Sequence, residues 1–188
     1  SYLHDPDNYS WSYTTIDAQA DVGHYNSIVV DSEGIVYIAY FDNASSDLRV
    51  AKKVDGLWAA EVVDTLGLVG WDTSIALDAN DEPHVTYYDI SNNDLKRAHN
   101  KQGTWEIETV DDAGDVGWYS SIAFDSNGRA FISYYDVTNT ELKFASFNDT
   151  GGAADEPWIE TFLEWNGSLS FQEGDGGFVG EWTAYDLN

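Results

Sequence analysis

The chain of 188 residues contains no cysteine and no methionine. Without thiols, disulfides and thiol chemistry are excluded, and the usual clue to redox compartment is missing. A start at Ser1 with no methionine anywhere leads to the expectation of a processed mature protein, although a trimmed chain would read the same way. Basic residues are scarce, with 8 Lys and Arg against 34 Asp and Glu and a net charge of −26. Nucleic acid is thereby excluded as a partner, since its phosphates must be neutralised by Lys and Arg, and anionic membranes are disfavoured for the same reason. No run of apolar residues reaches the length of a membrane-spanning helix, so no membrane insertion is expected. A helical period with capping signals is missing from every window, so almost no helix is expected.

What the chain has is repetition. Gly23, Gly70 and Gly117 lie 47 residues apart, and each opens the same passage with small changes. The copies read DVGHYNSIVVDSEGIVYIAYFDN from Asp21, LVGWDTSIALDANDEPHVTYYDI from Leu68 and DVGWYSSIAFDSNGRAFISYYDV from Asp115. Trp11, Trp58 and Trp105 open a second set of equivalent segments, and Trp158 arrives six residues late after a Gly- and Ala-rich stretch. Ser27, Ser74, Ser121 and Ser168 are again in step. Four periods of 47 make up the full length.

Each repeat reads as four short strands rich in Val, Ile, Tyr, Phe, Trp and Thr, separated by Gly, Asn, Asp and Ser. The turns DSEG, DAND and DSNG suit tight hairpins, because Gly and Asn tolerate positive φ and Asp caps its own turn. A period in the forties written in strands predicts an all-β β-propeller of four blades, each of four antiparallel strands. The repeats run approximately over 21–67, 68–114 and 115–164, with 165–188 completed by 1–20. SYLHD at the start falls where LRVAK, LKRAH and LKFAS fall, and AYDLN at the end matches the close of IAYFDN. The N-terminal strands would therefore complete the last blade, a clasp that removes two open edges. Two alternatives stay open: a fragment of a longer array, or a clasp between neighbouring molecules that builds a homo-oligomeric ring or a filament.

The pattern VGxYxSIAxDxxGxxxISYYDxxNxxLKxA, best seen from Val116 to Ala145, resembles the tandem β-propeller repeats of secreted and cell-surface proteins in bacteria and archaea. That resemblance covers nearly the whole chain and implies an extracellular location, secreted or at the cell surface. On activity it is nearly silent, because propellers host many functions. WD40 markers are missing, and DSNGRAF lacks the Thr-Trp of a sialidase-type Asp box. Sequons at Asn8, Asn43, Asn148 and Asn166 permit N-glycosylation.

The loops leading into the first strands and the turns after the second strands should share one face. The former bring His24, Trp71, Trp118 and Trp165, followed by Tyr25, Asp72, Tyr119 and Asn166. The latter bring Asp42, Asp89, Asp136 and Asp186. Aromatic rings beside carboxylates and amides suit sugars, the ring covering the apolar face of a pyranose while polar groups meet its hydroxyls. Against this stands a packing role, in which the rings fill gaps between blades and each aspartate caps its turn.

Catalysis is not expected. With so many acids, some pair will always look suited to glycoside hydrolysis. The four histidines occupy four different repeat positions with no metal spacing, and no nucleophile elbow or phosphate loop is present. No cofactor is required, although a calcium or sodium ion in a central channel would suit oxygen ligands. The expectation is a non-catalytic extracellular binding module for glycans or other cell-surface proteins, lectin-like and multivalent. The alternative is a building block of a surface layer or filament.

Overall fold

The computed structural model describes residues 10–19 and 21–148. Among them there is no helix, and all regular structure is antiparallel sheet. The first sheet contains β1 (Val22–Val30), β2 (Val36–Asp42), β3 (Asp47–Val54) and β4 (Leu57–Asp64). The second contains β5 (Val69–Leu77), β6 (Pro83–Asp89), β7 (Asp94–Lys101) and β8 (Thr104–Asp111). The third contains β9 (Val116–Phe124), β10 (Arg129–Asp136) and β11 (Glu141–Asn148). Strands pair in chain order within each sheet, so the first two repeats are each one four-stranded meander and the described part of the third is a three-stranded one.

The hairpin turns form as their sequences dictate. Asp31 Oδ1 accepts the N–H groups of Glu33 and Ile35, and Asp78 and Asp125 do the same two and four residues ahead. Local carboxylate caps of this kind let the chain reverse without leaving backbone donors unpaired.

Successive sheets pack face to face, with β5 lying against β1 to β3 and β9 against β5 to β7. The apolar layer between the first two sheets is built from Tyr37, Leu48, Val50, Val69, Ile75, Val85 and Tyr87. Leu95, Val116, Ile122, Ala130, Ile132 and Tyr134 form the next layer. First strands meet one another through side chains: Ser27 Oγ accepts Ile75 N–H, and Ser74 Oγ accepts Ile122 N–H, both at 3.2 Å. These are the serines that keep step in the sequence.

A glycine fixes each junction. A Cβ on Gly70 would sit 2.9 Å from Leu48 Cα, and one on Gly117 would sit 2.8 Å from Leu95 Cα. Their φ angles of +104° and +107° are also in the region that side chains disfavour.

A second device crosses the same junctions. Tyr87 on β6 donates its hydroxyl to Asp64 on β4 at 2.7 Å, and Lys96 on β7 pairs with Asp64 at 2.7 Å and Asp89 at 3.7 Å. Asp111, Tyr134, Lys143 and Asp136 repeat this one sheet later, and Asp17, Tyr40, Arg49 and Asp42 one sheet earlier. Burial alone would raise the Asp64 pKa. The Lys96 ammonium, the Leu66 N–H and the Tyr87 hydroxyl outweigh it and hold the carboxyl below its ordinary range.

The described residues form three antiparallel sheets, two of four strands and the third of three; the expected fourth blade and the outer strand of the third fall outside those residues. One expectation needs correction. The segment from Ser10 to Gln19 is not a strand, although WSYTTID reads like the outer strands WAAEVVD and WEIETVD. The segment expected to pair with it, Ser1 to Asp5, lies outside the described residues. So does the repeat from 165 to 188.

Candidate functional site

Each of the three first strands among the described residues contains the same irregularity. Between His24 and Ser27 the first sheet loses register, because three steps on β1 face two on β2, from Phe41 to Ala39. The same happens between Trp71 and Ser74 and between Trp118 and Ser121. The extra residue makes a bulge, a device that bends the strand and re-aims a side chain. Tyr25, Asp72 and Tyr119 accommodate it with φ of +49°, +49° and +54°. Positive φ is uncommon for any residue with a side chain, least expected of a tyrosine, and such strain collects at functional positions.

The three bulges open onto one pocket of about 240 Å³, lined by Tyr25, Asn26, Asp72, Thr73, Tyr119 and Ser120. The tyrosines are 41 % and 70 % exposed, so their rings are available as walls. The residues after the bulge tie it down: Thr73 donates its hydroxyl to Tyr25 C=O, Ser120 to Asp72 C=O at 3.3 Å, and Asn26 its amide to Gly23 C=O at 3.1 Å. Asp72 Oδ2 accepts the Tyr119 N–H at 3.2 Å. Burial raises the Asp72 pKa against the opposing pull of that bond, and burial together with the Asp72 charge raises the Tyr25 phenol.

The other expected residues have different positions. Trp71 and Trp118 are half-buried, edge to face with centroids 6.5 Å apart. Trp71 also packs on Tyr25 at 4.9 Å and Phe41 at 5.9 Å, and Trp118 on Tyr88 at 4.8 Å. These rings support the pocket from beneath; they are not among its lining residues. Trp118 Nε1 donates to Asp115 and His24 Nε2 meets Asp21, both at 2.8 Å. Trp71 Nε1 is buried without a hydrogen bond because Leu68 stands where the other copies have aspartate.

Asp42, Asp89 and Asp136 are buried and do not supply the polar half of a surface site. Asp89 Oδ1 accepts Ser91 and Asn92 N–H, Asp42 Oδ1 accepts Ala44 and Ser45, and Asp136 Oδ1 accepts Asn139. Their remaining oxygens face the Arg or Lys of the inter-sheet device. Trp165, Asn166 and Asp186 lie outside the described residues. Among the described residues no group of three or more His, Asp or Glu converges as metal ligands. Asn26, Thr73 and Ser120 were not singled out in the sequence, although a hydroxyl or amide at that position in three copies was the signal.

No protein-family model and no curated protein matches the chain. Similar solved structures include a protein of unknown function from Dyadobacter fermentans, 13% identical with a TM-score of 0.53 over 68% of this chain and 38% of that one. Hadza microbial sialidase Hz136 is 13% identical at a TM-score of 0.48, over 68% of this chain and 35% of that one. The α-L-arabinofuranosidase Arb93A from Fusarium graminearum, with an iminosugar inhibitor, is 13% identical at 0.48, over 69% of this chain and 46% of that one. This chain thus spans less than half the length of each.

Proposed function

We infer that this chain is an extracellular binding module that takes glycans at the pocket between its first strands and does not cleave them. The observation that carries the reading is the trio of bulges, which turns two tyrosine rings and one carboxylate toward the same opening. A flat ring covers the apolar face of a sugar, and the short polar groups meet its hydroxyls. The volume is below the roughly 300–1,000 Å³ of pockets that engulf a drug-sized ligand. A terminal or branching sugar unit fits that size better than a threaded chain. A glycan array on wild type and Tyr119→Ala tests this: binding by the first and its loss in the second support the reading. An empty array at high protein valency refutes it.

The four-bladed ring belongs to the same proposal. Ile28 is 61% exposed while its counterparts Ile75 and Ile122 are 6% exposed, and Leu142 is 79% exposed while Leu48 and Leu95 are fully buried. The first and third sheets thus each present one unused half of a junction that is used twice between them. We assign residues 165–188, completed by 1–20, to that gap. In support, Asp17 already holds Tyr40 and Arg49 as Asp64 and Asp111 hold the next sheets. Leu142→Asp should then unfold the protein at lower urea, whereas a solvated Leu142 would tolerate it within about 0.5 kcal/mol. The same free faces favour the second reading, a head-to-tail filament, if they join separate copies instead. Sedimentation that shifts with concentration would mark that case.

A further inference from the structure

We propose that the pocket selects sugar units bearing a free, protonated amino group over N-acetylated or acidic ones. The inference rests on the glycan reading above and deepens it. Asp72 is the only charged residue among the six that line the pocket. Among the described residues no Lys, Arg or His forms an ion pair with it. Its Oδ2 takes one backbone N–H at 3.2 Å, a single neutral partner for a half-buried carboxylate. A carboxylate so placed is incompletely compensated, and a cation arriving with the ligand would complete it.

The groups around it leave that carboxylate as the main open acceptor. Thr73 and Ser120 are buried, their hydroxyls engaged with backbone carbonyls and, for Ser120, with Thr86 Oγ1. Asn26 donates one of its two amide hydrogens to Gly23 C=O. An ammonium brings three donors and a charge to Asp72, whereas an acetamide brings a single N–H and no charge. The flanking faces of Tyr25 and Tyr119 attract cations through the ring quadrupole. A net charge of −26 repels sialic and uronic acids before contact.

The test compares methyl glycosides of glucosamine and N-acetylglucosamine, and galacturonate, by saturation-transfer NMR and calorimetry at mildly acidic pH and physiological salt. Monovalent probes keep the general attraction of a polycation out of the measurement. At least a tenfold preference for the free amine is expected in wild type. D72N should erase that preference by weakening the amine at least tenfold, with a melting temperature no lower than that of wild type. Tyr119→Ala should weaken both sugars. Equal binding of the two sugars by wild type overturns the amine inference and leaves the glycan reading standing. A preference that survives D72N belongs to the surface as a whole and overturns the assignment to this carboxylate. No binding of any probe, with an empty glycan array, removes both proposals.

Discussion

Asp17 accepts the hydroxyl of Tyr40 at 2.7 Å across 23 residues, the same separation that joins Asp64 to Tyr87 and Asp111 to Tyr134. The relationship is a staple: the end of one segment is held to the second and third strands of the next sheet. Asp64→Asn removes the charge that compensates buried Lys96 and leaves it Asp89 at 3.7 Å. Breaking such a pair from one side should cost about 3–5 kcal/mol, read as a lowered urea midpoint. Tyr87→Phe should cost less, about 1–3 kcal/mol, because it leaves only one acceptor without its donor.

The staples also set the response to acid. Asp17, Asp64, Asp111 and Asp136 titrate below the ordinary value of 3.8 in the folded protein. A carboxyl with a depressed folded pKa stabilises above its unfolded value and loses that contribution as pH falls through the folded one. Thermal unfolding should therefore be flat near neutrality and fall steeply below about pH 4. Asp72 has the opposite sign. Its folded pKa is raised, so wild type loses stability relative to D72N as pH climbs from 3.8 through that raised value. Melts of the two proteins should coincide at low pH and separate above it, D72N being the more stable.

Glycines at a junction and in a hairpin turn should respond unequally. Gly70→Ala drives a methyl into the Leu48 backbone at 2.9 Å, whereas a Cβ on Gly34, in the turn after β1, meets nothing within 4 Å. Both pay for positive φ. The first should cost more than about 3 kcal/mol and the second about 1 kcal/mol, measured as the difference between their denaturation midpoints.

The junctions differ in one polar detail that can be transplanted. Tyr88 donates to Asp115 at 2.8 Å; at the previous junction the same two places hold Phe41 and Leu68. Phe41→Tyr alone places a hydroxyl opposite Leu68, and Leu68→Asp alone places a carboxylate opposite Phe41. Together they should restore the pair and supply Trp71 Nε1 with an acceptor. A double-mutant cycle in urea should show coupling of about 1 kcal/mol or more, with a shift in tryptophan emission only in the double variant.

Trp71 and Tyr119 should separate support from contact. Trp71→Ala leaves a void among Tyr25, Phe41 and Trp118 and should destabilise by about 3–5 kcal/mol. Tyr119→Ala removes a ring that is 70% exposed, so stability should change by about 0.5 kcal/mol or less while glycan binding is lost. Loss of folding in the second variant would assign Tyr119 to packing.

The sheets were legible because a repeat averages out local ambiguity: three copies of one strand pattern agree where one would not. Facing was harder to read. Asp42 and Asp72 both sit in polar surroundings near strand ends, yet one carboxylate is covered and the other opens onto a pocket. Arg49 and Asp17 decide the first from outside its own loop, and a positive-φ bulge decides the second. The staples were written at the same 47-residue spacing as the glycines, in Asp17, Asp64 and Asp111, but an aspartate closing a strand reads like any turn signal. Trp71 and Trp118 attracted the binding role because a large ring is conspicuous in sequence, while the smaller rings beside them form the wall.

The bulge confines novelty to one residue per sheet. Pairing resumes at Ser27, Ser74 and Ser121 although tyrosine stands two places earlier in two copies and aspartate in the other, so an exchange at 25, 72 or 119 changes the wall of the opening without disturbing the ladder beyond it. Three equivalent points on one opening can therefore differ in chemistry while sharing one backbone, as tyrosine, aspartate and tyrosine do at these positions.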